Sequence, residues 1–259
     1  RGAVLKNAKL SCATLFQADL EGADLRGADL TLANAAYVKA KDARFADANL
    51  DEACFEEATL RGAVFDGASA CYAVFEAADL TDASFDGTKL DGADFSSACL
   101  IEAQLPRATA EKALFEDVRA DRANFEDAQM TQATFANASL REARMRGFQA
   151  CKGYFEGANL DGADLSYSVL VEAHLTKASA RATLLFGADL RGARLYRTKL
   201  DAAKLHHANL MSADLRKAEV SYASFKNASV YDAVLVDLRG DAPPDFSGVD
   251  LSHAVTEES

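Results

Sequence analysis

The chain has 259 residues, with 40 acidic against 28 basic side chains for a formal charge of −12, and 49% apolar residues without a tryptophan. That apolar content excludes a disordered polyelectrolyte, and the acidity has the wrong sign for a sequence-blind nucleic-acid binder, so no direct nucleic-acid contact is expected. No apolar run approaches the roughly 18 residues needed to cross a bilayer, and no membrane attachment is expected.

Arg1 opens the chain without an initiator Met, and no signal-peptide pattern follows it. Any targeting segment therefore lies upstream, and the expected location is the cytoplasm. From Ala18 the chain reads Ala-Asp-Leu-Glu-Gly-Ala-Asp-Leu-Arg-Gly-Ala-Asp-Leu, a five-residue unit. With Leu taken as the centre, centres fall at every multiple of five from Leu5 to Leu235, 47 units in one unbroken phase. Two positions before the centre, 39 of the 47 residues are Ala; the exceptions are Val38, Thr88, Val118, Phe148, Gly153, Ser168, Thr183 and Thr198. The centres are Leu, Phe, Ala, Met or Val and never polar.

Neither a helical period of 3.6 nor a strand alternation of two produces this pattern. One short extended side followed by a corner does. Twelve of the 15 glycines lie two residues after a centre, where Asn7, Asn137 and Asn227 also stand. Gly and Asn are the residues that accept the positive φ of a type II turn.

The number of sides per coil follows from the phenylalanines. Centre Phe occurs at 45, 55, 65, 75, 85, 95, 115, 125, 135, 155 and 225, always an odd multiple of five, whereas six of the seven centre alanines are even multiples. Four sides per 20-residue coil put like centres on facing walls, one pair bulky and the other small, and a narrow core needs that complementarity. A triangular coil would scatter Phe over all walls. Where Val38, Val118 and Phe148 enlarge the small column, the following centre shrinks to Ala, which conserves volume within the unit.

Units such as Ala23-Asp24-Leu25-Arg26-Gly27 and Ala158-Asn159-Leu160-Asp161-Gly162 resemble the pentapeptide-repeat family over residues 3 to 235. The resemblance implies an all-β, right-handed quadrilateral parallel β-helix of about twelve coils. It also implies that DNA-gyrase or topoisomerase IV binding by acidic duplex mimicry, of the quinolone-resistance type, is one activity found in bacterial members. Stacked at about 4.8 Å per coil, the rod is expected to be roughly 55 Å long. Each coil touches only its neighbours.

Residues 1–239 read as the solenoid and 240–259 as a register-shifted cap or tail. Gly240-Asp241-Ala242-Pro243-Pro244 breaks the phase, and Val249-Asp250-Leu251 resumes it one residue late. The shifted segment is expected to cap the rod or to pair with a second copy, which makes a homodimer through a terminal coil possible. At the other end the repeat is already in phase at Ala3, so the first coil is expected to meet upstream residues or a partner.

Chemistry-bearing residues are sparse. Cys12, Cys54, Cys71, Cys99 and Cys151 all face outward, and no two share a column in neighbouring coils, so free thiols are expected. His174, His206, His207 and His253 have no ligand set at metal spacing. A filled prism has walls rather than a pocket, so no enzyme activity, no catalytic residue, no metal and no cofactor are expected.

Charge is more informative. Residues 1–129 hold 24 acids and 13 bases, residues 130–236 hold 10 acids and 14 bases, and residues 237–259 hold six acids and Arg239. On the wall with centres 15, 35, 55 and so on, the acids up to residue 160 are Glu56, Glu57, Glu76, Asp94, Glu116, Asp117 and Glu156, with no base among them. Lys177, Arg194, Arg197, Arg216 and Lys217 follow, against Asp214 and Asp237, and Lys177, Arg197 and Lys217 are 20 apart and hence stacked. Like charges stacked at about 4.8 Å are costly unless a partner or counter-ions screen them. The expected function is a non-catalytic scaffold that presents this charged wall to a protein partner. The alternative is a DNA mimic that binds type II topoisomerase, against which the basic segment counts.

Overall fold

Each five-residue unit forms one side of a square coil, and a computed structural model describes residues 1–257. Parallel bridges join every residue before a centre to the one 20 positions on, from Val4↔Asp24 to Glu219↔Arg239. That spacing makes the coil four-sided. Coil 1 is taken as residues 3–22 and later coils follow in twenties. Walls 1 to 4 carry centres 5, 10, 15 and 20 and their stacked equivalents.

The unit around Leu25 shows where the backbone polar groups go. Asp24 N–H donates to Ala3 O of the coil before (2.8 Å), while Leu25 N–H and Gly27 N–H donate to Arg44 O (2.8 Å) and Ala46 O (3.0 Å) of the coil after. Ala28 N–H closes the turn onto Leu25 O at 3.0 Å. One donor per unit, the N–H of the residue after the centre, has no backbone acceptor in this scheme. Side chains supply one.

Inside, the rings of Phe45, Phe65 and Phe85 stack on wall 1 at 4.9 and 4.6 Å, and those of Phe55, Phe75 and Phe95 on wall 3 at 5.3 and 4.9 Å. The two ladders meet edge to face: Phe45 and Phe55 lie 5.8 Å apart at 81°. Walls 1 and 3 therefore face one another, as the ten-residue alternation requires. Phe148, on wall 2, reaches Phe135 (6.0 Å) and Phe155 (6.4 Å) edge-on, filling space beside the smaller centres Met145 and Ala150. Gly153 follows from that crowding, because a Cβ there would lie 3.0 Å from both Phe155 Cε2 and Ala150 O.

All 48 residues of the corner column, Gly2 and the 47 residues two after a centre up to Asp237, have positive φ, although 36 of them are not glycine. Their φ lies between 50° and 60°, against 61° to 72° for the glycines of the column. Leu32 (58°), Tyr37 (59°) and Tyr222 (58°) are held where an isolated residue pays roughly 1–2 kcal/mol. The ladder bonds on either side of each corner leave no other conformation.

Beyond Arg239 the offset changes from 20 to 21: Ser224 bridges Asp245, Val234 bridges Val255, and Phe246 stacks on Phe225 at 4.8 Å. Gly240 absorbs the extra residue at φ 153°, where a Cβ would lie 2.9 Å from Ser221 N.

Candidate interaction surface

The acids that dominate the composition fall into two overlapping groups, with Asp94 in both. The first serves the backbone. Asp or Asn before a centre accepts from the orphan N–H two residues on: Asp94 from Ser96 (2.8 Å), Asn124 from Glu126 (3.0 Å), Asp164 from Ser166 (2.9 Å). Where that residue is Ser, an Asp one coil earlier takes over. Asp161 accepts from Arg181 N–H (2.9 Å) and Ser179 Oγ–H (2.6 Å), and Asp51 likewise from Cys71 N–H (2.9 Å) and Ser69 Oγ–H (2.7 Å). The Asp of the repeat is thus a turn cap, an Asx-type contact.

In Asp24-Leu25-Arg26, Asp189-Leu190-Arg191 and Asp214-Leu215-Arg216 the arginine closes back on the capping carboxylate through two nitrogens. The guanidinium holds the Asp24, Asp189 and Asp214 carboxyls below the usual carboxylate range, and Thr31 and Ser247 hydroxyl donors do the same for Asp29 and Asp245.

The second group is on wall 3, whose outward columns separate charge by height. Glu56, Glu57, Glu76, Asp94, Glu116 and Asp117 make no ion pair among the described residues. Tyr37 donates its hydroxyl to Glu57 at 3.1 Å, and Thr134 Oγ1 to Glu116 at 3.5 Å. Glu156 ends the acidic stretch and meets Lys177, the first cation, at 3.4 Å. Above it, Lys177, Arg197 and Lys217 occupy one corner column, with Arg197 packed 5.3 Å from the centre of the Tyr196 ring. Arg194 stands in the column before the centres, bridged to His174 and Asp214.

Arg216 departs from the sequence reading. It is held by Asp214 at 2.6 Å on its own wall and adds little net charge to the basic half. In the middle of the wall, outside its charge pattern, Leu114 (38% exposed), Thr134, Tyr154 (47% exposed) and His174 stack in one column. Tyr154 and His174 rings lie 4.7 Å apart, and burial together with neighbouring Arg194 pushes the imidazole pKa down. The 20-residue spacing of these four was the available signal.

The other walls mix their charges. On wall 4, Asp161, Arg181 and Asp201 alternate up one corner, with Arg181 3.2 Å from Asp201. The five cysteines are free thiols on outward positions. Among the described residues, no group of three or more His, Cys, Asp or Glu could hold a metal ion, and no helix is long and apolar enough to cross a membrane.

Solved structures with a similar course include HetL from the cyanobacterium Nostoc sp. strain PCC 7120, a pentapeptide repeat protein involved in heterocyst differentiation regulation. It is 24% identical over 92% of this chain and 90% of its own, with a TM-score of 0.33. QnrB1, a plasmid-mediated fluoroquinolone resistance protein, is 17% identical over 66% of this chain and 90% of its own, TM-score 0.43. A pentapeptide repeat protein of the Arabidopsis thaliana thylakoid lumen is 25% identical over 50% and 70%, TM-score 0.27. Among curated proteins none matches significantly. The family model for pentapeptide repeats matches in eight copies across residues 1–109, 111–147 and 154–230. With the five-residue sides, the 20-residue coils and this match together, the chain belongs to the pentapeptide repeat family.

Proposed function

We propose that the protein is a rigid, non-catalytic interaction module whose wall 3 docks a protein partner by charge. One observation carries this reading: the wall segregates its charge into an acidic lower part and a basic upper part, whereas the other walls interleave acids and bases along their height, as Asp161, Arg181 and Asp201 do on wall 4. Glu56 and Glu76 stack one coil apart, at about 4.8 Å, and the acids beside them have no cation on the wall to screen them; a partner with a complementary face relieves that repulsion while gaining orientation and association rate. The prism core is filled, so rigidity comes without a mobile element.

The test compares proteins captured from the native host by the wild type and by Lys177→Glu/Arg197→Glu/Lys217→Glu. The expected result is loss of the specific partner with the strand-type circular dichroism unchanged. Retained binding returns the basic column to a solubilising role.

A second reading, duplex mimicry toward type II topoisomerase, is favoured by the uninterrupted acidic run from Glu56 to Glu156. Inhibition of gyrase supercoiling, or quinolone protection, at stoichiometric protein would establish it. The cations from Lys177 to Lys217 weigh against it, since a DNA surrogate is acidic along its contact length.

A further inference from the structure

The order of charge along wall 3 is self-complementary, and the geometry points to a second copy of this chain as an occupant of the wall, docked side by side and antiparallel. This inference rests on the charged-wall reading and names its partner. Acids without a base occupy coils 3 to 8, and Lys177, Arg194, Arg197, Arg216 and Lys217 against Asp214 occupy coils 9 to 11, with Asp237 beyond them. A parallel pair would set acid against acid. A two-fold axis along the strand direction reverses the rod while keeping each outward column opposite its own kind, so the interface is isologous.

With the axis between Thr134 and Tyr154, Asp94 faces Arg194 of the second copy, Asp117 faces Lys177 and Glu76 faces Arg216. Asp94 and Arg194 make no ion pair within their own chain among the described residues, and Arg216 is held by Asp214 only through Nε and Nη2, which leaves Nη1 free. The exposed Tyr154 ring lies beside the axis, where a desolvated anchor is most useful. Slipping the pairing by one coil sets Asp94 against Asp214, or Glu116 against Glu156. A slip of two coils sets Asp94 against Val234, so exchange at 94 and 194 reports the register.

Area suffices. One wall carries about a quarter of the molecule's 11195 Å² of accessible surface, well above the roughly 800 Å² per partner of a standard interface.

Sedimentation velocity on the full chain tests the inference at about 0.01 M and about 1 M salt, where screening lengths are roughly 30 Å and 3 Å. The wild type is expected to dimerise in low salt and dissociate in high salt. Arg194→Asp and Asp94→Arg are each expected to be monomeric, their mixture to form a heterodimer, and the double variant Asp94→Arg/Arg194→Asp to dimerise again. The Glu76 side chain makes no hydrogen bond or ion pair among the described residues, so Glu76→Arg tests the wall without touching a turn cap. It is expected to weaken the dimer at least about tenfold. A wild type that stays monomeric in low salt overturns the inference, and so does a dimer indifferent to these exchanges, which would be an end-to-end contact. If the chain is monomeric yet the triple variant at 177, 197 and 217 loses its captured partner, self-pairing fails while the charged-wall reading stands. Failure of both experiments removes both.

Discussion

At the residue scale, the informative positions are those where the repeat carries a polar group inward. Thr88, Thr183 and Thr198 replace Ala in the buried small column, and their hydroxyls donate to the centre carbonyls Phe65 O (2.8 Å), Leu160 O (2.9 Å) and Leu175 O (2.7 Å), each 23 residues back. Ser168 stands in the same column, and its buried Oγ has no partner. An unsatisfied buried hydroxyl costs about 1–3 kcal/mol, whereas a satisfied one contributes about 1. Ser168→Ala is therefore expected to leave the melting temperature unchanged or raise it, and Thr183→Ala to lower it by a few degrees. Calorimetry on the pair distinguishes them, and equal losses would mean that Ser168 has found an acceptor.

The capping carboxylates make a second prediction at this scale. Asp24, Asp29, Asp189, Asp214, Asp245 and Asp250 have pKa values lowered by hydrogen bonds to arginine, hydroxyl or backbone donors. Their unfolded-state value is about 3.9. The unfolded chain takes up protons first, so the stabilisation is whole above about pH 4 and declines as pH falls below it toward the lowered folded values. A denaturation midpoint that is flat between neutrality and about pH 5 and then drops is the expected profile. Loss beginning above pH 6 would point to other groups.

At the scale of the element, a side of the coil is too short to be stable alone: it carries a single bridge on each edge. What holds it is the ladder of rings and methyl groups beneath it. Phe115 stacks on Phe95 at 4.9 Å and Phe135 at 4.7 Å and meets Phe125 edge-on at 6.4 Å. Phe115→Ala is expected to cost about 3–5 kcal/mol, because the surrounding coils cannot collapse into the space. Since coils communicate only with neighbours, the cost should be local. Hydrogen exchange is expected to accelerate first in coils 5 to 7, with the rod opening there before its ends. A uniform acceleration along the chain would show that the solenoid unfolds as one cooperative unit.

At the scale of the molecule, the distribution of ion pairs matters more than the net charge of −12. Most acids are accounted for by turn caps or by arginines on the same or the neighbouring coil, and exposed pairs of this kind contribute little each. Wall 3 is the exception, so salt should act on association through that wall much more than on the fold. The triple reversal at Lys177, Arg197 and Lys217 belongs to this scale: binding is expected to disappear while stability changes slightly, since Lys177 and Arg197 are exposed, Lys217 is only half-buried, and the one ion pair lost, Lys177 with Glu156, is exposed.

The sequence by itself determined the period, the four walls, the facing positions of the phenylalanine ladders and the two-part charge of wall 3. It could do so because inward columns and coil register repeat locally, so residues 5, 10 and 20 apart have fixed relationships whatever the rest of the chain does. The tertiary structure alone decided which carboxylates are spent on turn N–H groups, that Arg216 closes on Asp214, and that Leu32 and Tyr37 sit in left-handed turns usually reserved for glycine. Those outcomes depend on side-chain reach between coils and on ladder bonds that override the preference of a single residue, and neither is written in the five-residue pattern.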